Sequence, residues 1–362
     1  MFTIYKYELK KIFSQKYFII AFLFLYVFTM AISVTSIITG SINSVKQKET
    51  ISGRLLDDAL FNEYYENRKD ATYKDVDDFI KYCTNKEDYG EPSAAEIYEA
   101  RNNQLEKEFK VDNLTESEKQ YWRQKESSIQ KPFVYQTDDA YSEIYEVVYV
   151  VNFMILVLIA VALTGVFADE KATGADQILL SSRYGKTKLF SAKVLASLTI
   201  GFIITTLMYV SIIDVNLFVY GINGFDTVIQ IHMPTSLYSF TIGDSIFIMY
   251  VQLLLATFVY VGFALLLSII TNNHPASSGV MIVIMFLSMF NIPAKYRLIS
   301  QIWDSIPSGH IGSWSLTKYQ LVKLFGTYYN SLEFTTVIWP IATIAFIIIA
   351  KAVYKRYQVE GR

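Results

Sequence analysis

The triplet Gly185, Lys186 and Thr187 could bind phosphate, because glycine, lysine and threonine end the loop that holds the phosphates of ATP or GTP. That loop needs a further glycine five residues before its last one, and Leu180 stands at this position. No strand is predicted ahead of it either. The triplet therefore predicts no nucleotide site, and we do not expect this chain to hydrolyse ATP itself.

Metal or hydrolytic chemistry would need histidines grouped with cysteines, carboxylates or serines. The three histidines, His232, His274 and His310, are scattered and occur in no HExxH motif or Cys/His cluster. Residues 309–313 read GHIGS, which is not the GxSxG pattern of a hydrolase nucleophile elbow. We therefore predict no catalytic, cofactor-binding or metal-binding residue in this chain, and we do not expect an enzyme.

Polar residues inside otherwise apolar stretches offer a different chemistry. Buried amides and hydroxyls either form hydrogen bonds between neighbouring helices or face the path of a transported solute. No acidic residue lies near the middle of these stretches, which argues against a carrier driven by protons or sodium ions. The packing role and the transport role both stay open at this point. The candidates for a transport path are Asn152, Thr205, Thr206, Gln252 and Ser277.

Six apolar stretches must position these polar residues. A bilayer core about 30 Å thick takes roughly 20 apolar residues in a helix, and each stretch is near or above this length. The sequence thus predicts an all-α integral membrane protein with six transmembrane helices, of which the fifth is only marginally long enough. Lys193, near one end of the third, is expected to extend its amine to the interface. The predicted spans are residues 17–39, 147–168, 190–213, 245–270, 276–292 and 334–350.

Basic residues between the spans predict the orientation, because Lys and Arg near span ends stay in the cytoplasm. Thirteen Lys and Arg flank the span ends on one side and four flank those on the other, when residues 44–146 are left out. Both termini are therefore predicted to be cytoplasmic, in a multi-pass protein of the cell membrane. The frequent Lys, Ile, Tyr and Phe favour a bacterial plasma membrane.

The remaining segments complete the predicted organisation. The first sixteen residues have apolar side chains at helical spacing, with Lys6, Glu8, Lys10 and Lys11 on the other face, which is typical of a helix in the headgroup plane. The predicted units are an amphipathic interfacial helix (1–16), the first span (17–43), an extracytoplasmic helical domain (44–146), spans two to six (147–352) with a cytoplasmic loop at 169–189 and outer interfacial helices at 293–333, and a cytoplasmic tail (353–362).

The extracytoplasmic domain is acidic and is predicted to be mainly helical. Residues 44–146 carry a net charge of −9, whereas the rest of the chain carries +7. Ser93 with Glu96, and Thr115 with Glu118, have the spacing of capping boxes that begin two helices. Asp138 and Asp139 are expected to begin a third helix, which continues into the second span. The single cysteine, Cys83, excludes an intrachain disulfide, so that it is either a half-buried apolar residue or part of an intersubunit disulfide.

The cytoplasmic loop after the second span has the pattern of a docking helix. An apolar ridge flanked by charges predicts a short helix at the membrane face, which a cytosolic protein could contact. The residues concerned are Glu170, Asp176, Ile178, Leu179, Leu180 and Arg183.

Two motifs in order carry a resemblance to a known family. An ELKK sequence precedes the first span, and the pattern ExxxGxxxxLLSSxxGKxKLxxxK follows the second. Together with the six spans and the interfacial helices before the last one, these motifs make the chain similar to ABC-2-type permeases. The residues that carry the resemblance are Glu8, Leu9, Lys10, Lys11, Glu170, Gly174, Leu179, Leu180, Ser181, Ser182, Gly185, Lys186, Lys188, Leu189 and Lys193.

The resemblance implies a permease subunit of an ABC exporter. Residues 1–16 would be its elbow helix and residues 170–181 its coupling helix, with Gly174 among the residues that couple to the ATPase. ATP and Mg²⁺ would bind to a separate cytosolic ABC ATPase. A second permease copy or a paralogue and membrane lipid are the other implied partners, and no nucleic acid is expected.

The cargo is not specified by these motifs. The long insertion resembles the subgroup that exports peptides, antibiotics or lipid-like amphipathic molecules, or that gives self-immunity. A rival interpretation is a non-transporting membrane sensor or scaffold whose outer domain binds a ligand.

Overall fold

The computed structural model describes residues 2–39, 47–181 and 187–356, except for the side chains of residues 35–39, 180 and 181. Within these ranges the chain is mostly helical. The helices are α1 (Phe2–Phe13), α2 (Lys16–Thr39), α3 (Asp58–Glu66), α4 (Lys74–Thr84), α5 (Ala94–Val111), α6 (Glu116–Ser127), α7 (Asp139–Leu163), α8 (Gly165–Thr173), α9 (Ala175–Ser181), α10 (Lys188–Tyr220), α11 (Ile242–Thr271), α12 (His274–Leu287), α13 (Arg297–Asp304) and α14 (Ser331–Arg356).

Five long apolar segments form a helical bundle and could each cross a membrane by their length and composition. At the centre of the bundle lies α11, which packs against α7, α10, α12 and α14, while α2 packs on the outside of α7 and α10. An all-helical membrane protein was predicted, and these helices agree with it. The five segments are Lys16–Val34, Asp139–Thr173, Lys188–Tyr220, Ile242–Thr271 and Ser331–Arg356.

Helices α1 and α14 bring both ends of the described chain to the same end of the bundle. The ring of Tyr354, in the last turn of α14, lies 5.1 Å from the ring of Phe167 and 5.5 Å from that of Phe190, measured between centroids. Close by, Tyr5 of α1 is hydrogen-bonded to Thr199 of α10 at 3.0 Å. We call this the terminal end. The opposite end is the insertion end, because residues 47–138 (the insertion) lie there.

The fifth predicted span, residues 276–292, forms a shorter helix than expected. With 14 residues, α12 is about 21 Å long, whereas a bilayer core is about 30 Å thick. A tight turn begins it, in which the Asn273 side chain accepts a hydrogen bond from the Ala276 amide at 3.0 Å. The helix stops at Leu287, and the amide of Ser288 donates its last hydrogen bond, to the carbonyl of Ile284 at 3.0 Å. The described residues thus contain five long apolar helices and this short one.

Between α12 and α14 the chain is irregular. In the region predicted to hold interfacial helices, residues 293–333, it forms α13, two short 3-10 helices and a hairpin of β1 (Val322–Leu324) with β2 (Thr327–Tyr329). The hairpin turns at Phe325 and Gly326, which both have positive φ, as two-residue hairpin turns often require.

Residues 305–317, which we call the re-entrant segment, pack between the long helices. Asn152 of α7 donates a hydrogen bond to the carbonyl of Ile311 at 2.7 Å, and the Ser308 hydroxyl lies 2.7 Å from that of Tyr260 on α11. Trp339 of α14 donates to the carbonyl of Ser305 at 2.8 Å. Irregular backbone is tolerated inside a membrane protein where other protein groups satisfy it in this way.

The insertion forms its helices where local signals predict them. Both capping boxes are present, Ser93 with Glu96 at the start of α5 and Thr115 with Glu118 at the start of α6. As predicted, α7 begins at Asp139 and continues into the bundle. The starts of α5 and α6 were readable in the sequence because a cap involves only residues within one helical turn.

Two separate cores hold the insertion. Its first helices, α3 and α4, bury a core of their own, and Cys83 lies in that core with only 2% of its surface exposed. Burial raises the pKa of the Cys83 thiol to about 12, so an intersubunit disulfide would need this core to open. Phe109 of α5 and Trp122 of α6 belong instead to the core of the bundle, and Trp122 donates a hydrogen bond to the carbonyl of Tyr319 at 2.7 Å.

Candidate functional site

A short helix stands out from the bundle at the terminal end. It is separated from α8 by Gly174, whose φ of +70° lies in the left-handed region that favours glycine. On this helix, α9, the side chain of Ile178 is 77% exposed and Leu179 is half-buried. The side chain of Leu180 and the whole of Arg183 lie outside the described residues. A helix therefore forms over part of the predicted coupling segment.

An apolar groove of about 530 Å³ lies between α1 and α9. Its walls come from two segments that are far apart in sequence, so that only folding creates it. A groove with apolar walls and exposed neighbours is a typical docking place for an amphipathic helix of another protein. The residues that line it are Thr3, Ile4, Tyr7, Glu8, Glu170, Ala175, Ile178, Leu179 and Leu189.

Beneath the groove lies a buried cluster of four charges. Lys193 is fully buried, and its ammonium donates to Glu170 at 2.6 Å, to Glu8 at 3.1 Å and to the carbonyl of Val166 at 3.0 Å. An ammonium group has three N–H donors, and these three acceptors satisfy them. Lys11 of α1 completes the cluster with a 2.5 Å ion pair to Glu170. Two positive and two negative charges thus balance.

This charge cluster joins α1, α8 and α10. Burial alone would lower the pKa of Lys11, but the Glu170 carboxylate raises it above its ordinary value, so Lys11 stays charged. Removing one partner from a buried ion pair typically costs about 3–5 kcal/mol, because the other charge remains buried. The cluster therefore holds α1, α8 and α10 in one relative position.

Asp169, the neighbour of Glu170, forms a second connection on the other side of α8. Its carboxylate accepts a hydrogen bond from the Tyr17 hydroxyl at 2.8 Å and faces His274 Nδ1 at 3.2 Å. His274 Nε2 lies 3.0 Å from the carbonyl of Val161, so both ring nitrogens face oxygen acceptors. Gly165 permits the close approach, because a Cβ atom there would lie 2.9 Å from the Tyr17 hydroxyl.

Several sequence-predicted residues therefore have other surroundings than expected. Glu170 is buried beneath α9, and Lys193 is inside the protein rather than extended to the interface. Glu8, predicted on the polar face of α1, is on its buried face beside Ile12. The common reason is the ion pairing, which offsets the cost of removing these charges from water. Asp176 lines a small pocket with Glu170 and Tyr354.

Asn152 and Gln252, two candidates for a transport path, are buried in helix contacts. Asn152 binds the re-entrant segment through its amide nitrogen, while its amide oxygen has no partner among the described residues. Gln252 of α11 donates to the carbonyl of Leu332 at 3.1 Å and accepts from Thr335 at 3.0 Å, both on α14. These amides fix the positions of α7, α11 and α14.

The three hydroxyl candidates are also paired, each in its own contact. Each of the five candidates thus has a hydrogen-bond partner of its own. Their transport role stays a prediction. The pairs are Thr205 with Thr257 at 2.9 Å, Thr206 with Tyr250 at 2.7 Å, and Ser277 with Thr271 at 2.5 Å.

Sequence reasoning did not identify α1, Tyr17 and His274 as parts of this site. Two signals could have found α1: a carboxylate, Glu8, follows the apolar spacing of Tyr5 and Ile12, and a lysine, Lys193, lies inside an apolar span. A charge in an apolar environment indicates a partner of opposite charge. Which partner it is could not be read, because the two residues are 185 positions apart.

Comparison with known proteins shows which family this chain matches. The model of one family, described as ABC-2 family transporter protein, matches residues 2–309. Neither the curated proteins nor the solved structures give a match. The matched range includes α1, the charge cluster, α9 and α11, and it ends within the re-entrant segment.

Proposed function

Since the chain belongs to the ABC-2 transporter family and is a membrane permease component of an ABC transporter, we propose that it is the permease of an exporter driven by a separate cytosolic ATPase. The observation that carries this proposal is the docking helix α9 with its exposed Ile178, placed beside an apolar groove and above a buried charge cluster. The exported molecule would be a peptide, an antibiotic or a lipid-like amphipathic compound.

The proposed orientation puts the terminal end in the cytoplasm. Basic residues are concentrated at this end, in α1, at the start of α10 and at the end of α14, and the cytoplasmic side of a membrane protein is enriched in Lys and Arg. With both α1 and the end of α14 there, the chain must cross the membrane an even number of times. We assign the remaining crossing to α12 together with residues 288–330, which complete the passage that α12 alone is too short to make.

In the proposed mechanism, closure of the ATPase on ATP and Mg²⁺ presses on α9. The charge cluster and the Asp169 network would carry this displacement into α1, α2, α8 and α10 together. Nucleotide can drive such a change only if it binds one of two arrangements more tightly. A second copy of the permease or a paralogue would provide the other half of the path. Residues 1–16 act as the elbow helix of this assembly.

Ile178→Asp tests the docking of the ATPase. A charge placed in an apolar contact costs several kcal/mol unless it finds a partner, which is enough to separate proteins that bind at micromolar strength. Because Ile178 is largely exposed, the variant should still fold. We expect the wild-type chain, purified from membranes of its native host, to carry an ABC ATPase that mass spectrometry identifies by its nucleotide-binding motifs, and I178D to lose it.

The matched control is Ile222→Asp, since Ile222 is about as exposed but lies at the insertion end. We expect I222D to retain the ATPase and its ATP hydrolysis. Equal retention in both variants would remove α9 from the interface. Absence of any ABC ATPase from the wild-type preparation would favour a membrane sensor or scaffold instead.

A further inference from the structure

A cavity of about 690 Å³ lies at the insertion end, between the insertion and the bundle. The walls are formed by α4, the first turns of α7, the end of α10, the loop that contains His232, and the re-entrant segment. A volume of several hundred Å³ is typical of a site for a small molecule or for a few residues of a peptide.

Carboxylates dominate the walls of this cavity. Five of them line it, against two lysines and one histidine, and Lys48 is already paired with Asp75 at 2.8 Å and Asp139 at 2.7 Å. Burial and the neighbouring Asp75 carboxylate raise the pKa of Asp78, which shows how closely the negative charges are placed. The cavity therefore favours positive charge. The five carboxylates are Asp75, Asp78, Asp139, Glu143 and Glu146.

Some buried polar atoms in the cavity wall and behind it have no hydrogen-bond partner, and they indicate which hydrogen-bond donors a ligand would supply. Among the described residues, Asp139 Oδ2 and the hydroxyl of Tyr220, both in wall residues, are buried without a hydrogen-bond partner. Directly behind them Asp138 is 1% exposed; its Oδ1 pairs with His232, whereas its Oδ2 has no partner. A buried carboxylate oxygen without a donor is costly, and an ammonium or guanidinium group supplies such donors.

Aromatic rings provide the apolar part of the same cavity. Tyr145, Tyr149, Tyr220 and Trp314 line it, and the rings of Tyr149 and Trp314 contact each other with centroids 4.3 Å apart. Aromatic faces beside carboxylates bind organic cations through both attraction to the ring and ion pairing. This combination selects amphipathic cations rather than small inorganic ones.

Two further cavities lie beside the acidic one. A second cavity of about 550 Å³ shares Tyr149 and Trp314 with it, and a third of about 610 Å³ shares Asp112, Asn291 and Lys318 with the second. The third cavity is lined by Lys110, Lys295 and Lys318 against Asp112 and Asp304, so the excess of carboxylates belongs to the first cavity.

We propose that the acidic cavity binds a basic amphipathic peptide on the outer side of the permease. Basic side chains of the peptide would pair with the carboxylates of the first cavity, and its apolar side chains would lie against Tyr149 and Trp314. Phosphate-bearing ligands are disfavoured, because they would bring negative charge against five carboxylates. The idea that this peptide is the cargo rests on the proposed function, whereas its binding does not.

The test uses the full chain alone, in nanodiscs of phosphatidylcholine, without any ATPase. The probe is a short fluorescein-labelled peptide of lysine and leucine, and its binding is followed by fluorescence anisotropy against empty nanodiscs. The double variant Asp78→Asn/Glu146→Gln removes two exposed carboxylates of the cavity without touching the buried ion pairs. We expect binding to be weakened by roughly tenfold or more.

The matched control removes the same charge elsewhere on the insertion. Glu87 and Glu116 have side chains that are 96% and 79% exposed and lie outside the cavities, so Glu87→Gln/Glu116→Gln should bind like the wild type. Equal weakening in both double variants would overturn the assignment of the cavity. So would equal binding of a glutamate–leucine peptide, or no binding of the lysine peptide to the wild type.

The two proposals fail independently. I178D should bind the lysine peptide normally, because its substitution lies at the terminal end. If the peptide binds but no ATPase associates with the wild-type chain, the cavity assignment stands and the exporter proposal falls. If the ATPase associates but the peptide does not bind, the exporter proposal stands and the cavity assignment falls.

Discussion

The two ends of the bundle treat buried charge in opposite ways. At the terminal end, Lys11 and Lys193 balance Glu8 and Glu170, and every donor of Lys193 has an acceptor. At the insertion end, five carboxylates face one cavity and some buried oxygen atoms have no partner among the described residues. A balanced cluster holds helices in one relative position. An unbalanced cluster is stabilised when a group of opposite charge binds to it.

Under the two proposals above, this difference predicts a division of roles. Groups that transmit a displacement must not exchange partners during it, and the saturated cluster at the terminal end meets this condition. Groups that bind and release a ligand need unsatisfied capacity before it arrives, and the cavity at the insertion end provides it. Three predictions test this comparison.

The largest effect is expected from Lys193→Met. The substitution leaves Glu8 and Glu170 with only Lys11 between them, and breaking a buried pair typically costs about 3–5 kcal/mol. We expect a large loss of stability when the purified protein is unfolded in detergent, together with loss of the associated ATPase. Lys188→Met, at the exposed start of the same helix, should change little. A stable K193M variant with its ATPase bound would contradict the role of the cluster.

An intermediate effect is expected from Asn152→Ala, halfway between the two ends. The variant leaves the carbonyl of Ile311 without its 2.7 Å donor, which costs about 1–3 kcal/mol for a buried group. If Asn152 only fixes the re-entrant segment, stability falls and export falls with it in proportion. If it faces the transported molecule, export is lost while stability changes less. Thermal unfolding measured beside an export assay in cells separates the two roles.

The smallest effect concerns pH at the insertion end. Burial alone would lower the pKa of His232, but the carboxylates of Asp138 and Asp75 raise it, while Lys48 opposes this increase. A group whose pKa is raised by folding stabilises the folded state fully below its unfolded value of about 6.5, and this contribution is lost as the pH rises through the folded pKa.

We therefore expect the insertion to unfold at a lower temperature at about pH 8.5 than at about pH 6.5. Hydrogen exchange of α4 and of the first turns of α7 reports this region separately from the bundle. The double variant Asp138→Asn/His232→Gln replaces the charged pair by a neutral one, and its stability should vary less with pH. An unchanged pH dependence in this variant would assign the effect to other groups.

Much of the fold was predictable because it depends on neighbours in sequence. The apolar lengths around residues 17–39 and 245–270 predict long helices, and the capping boxes at Ser93 and Thr115 predict the starts of α5 and α6. The fifth span was overestimated. Its apolar residues continue to Ile292, but the helix ends at Leu287, and the chain then packs between helices whose positions the sequence does not give.

The candidate site was only partly predictable for the same reason. The exposed ridge on α9 follows from Ile178 and Leu179 themselves. The groove beside it needs α1, which is more than 160 residues away along the chain, and no local pattern connects the two. The transport-path candidates were found as polar residues in apolar spans, yet their pairing with residues such as Thr257 and Leu332 depends on which helices are neighbours.

The sequence by itself determined a helical membrane protein with an acidic insertion, because hydropathy, capping and charge are properties of short segments. Only the tertiary structure determined which charged residues are buried and which residues they pair with. Lys193 meets Glu8 across 185 residues, and Asp75 meets Asp139 through Lys48 across 64 residues. The free energy of a charge depends on its burial and on the distance to its partners, and both are set by packing.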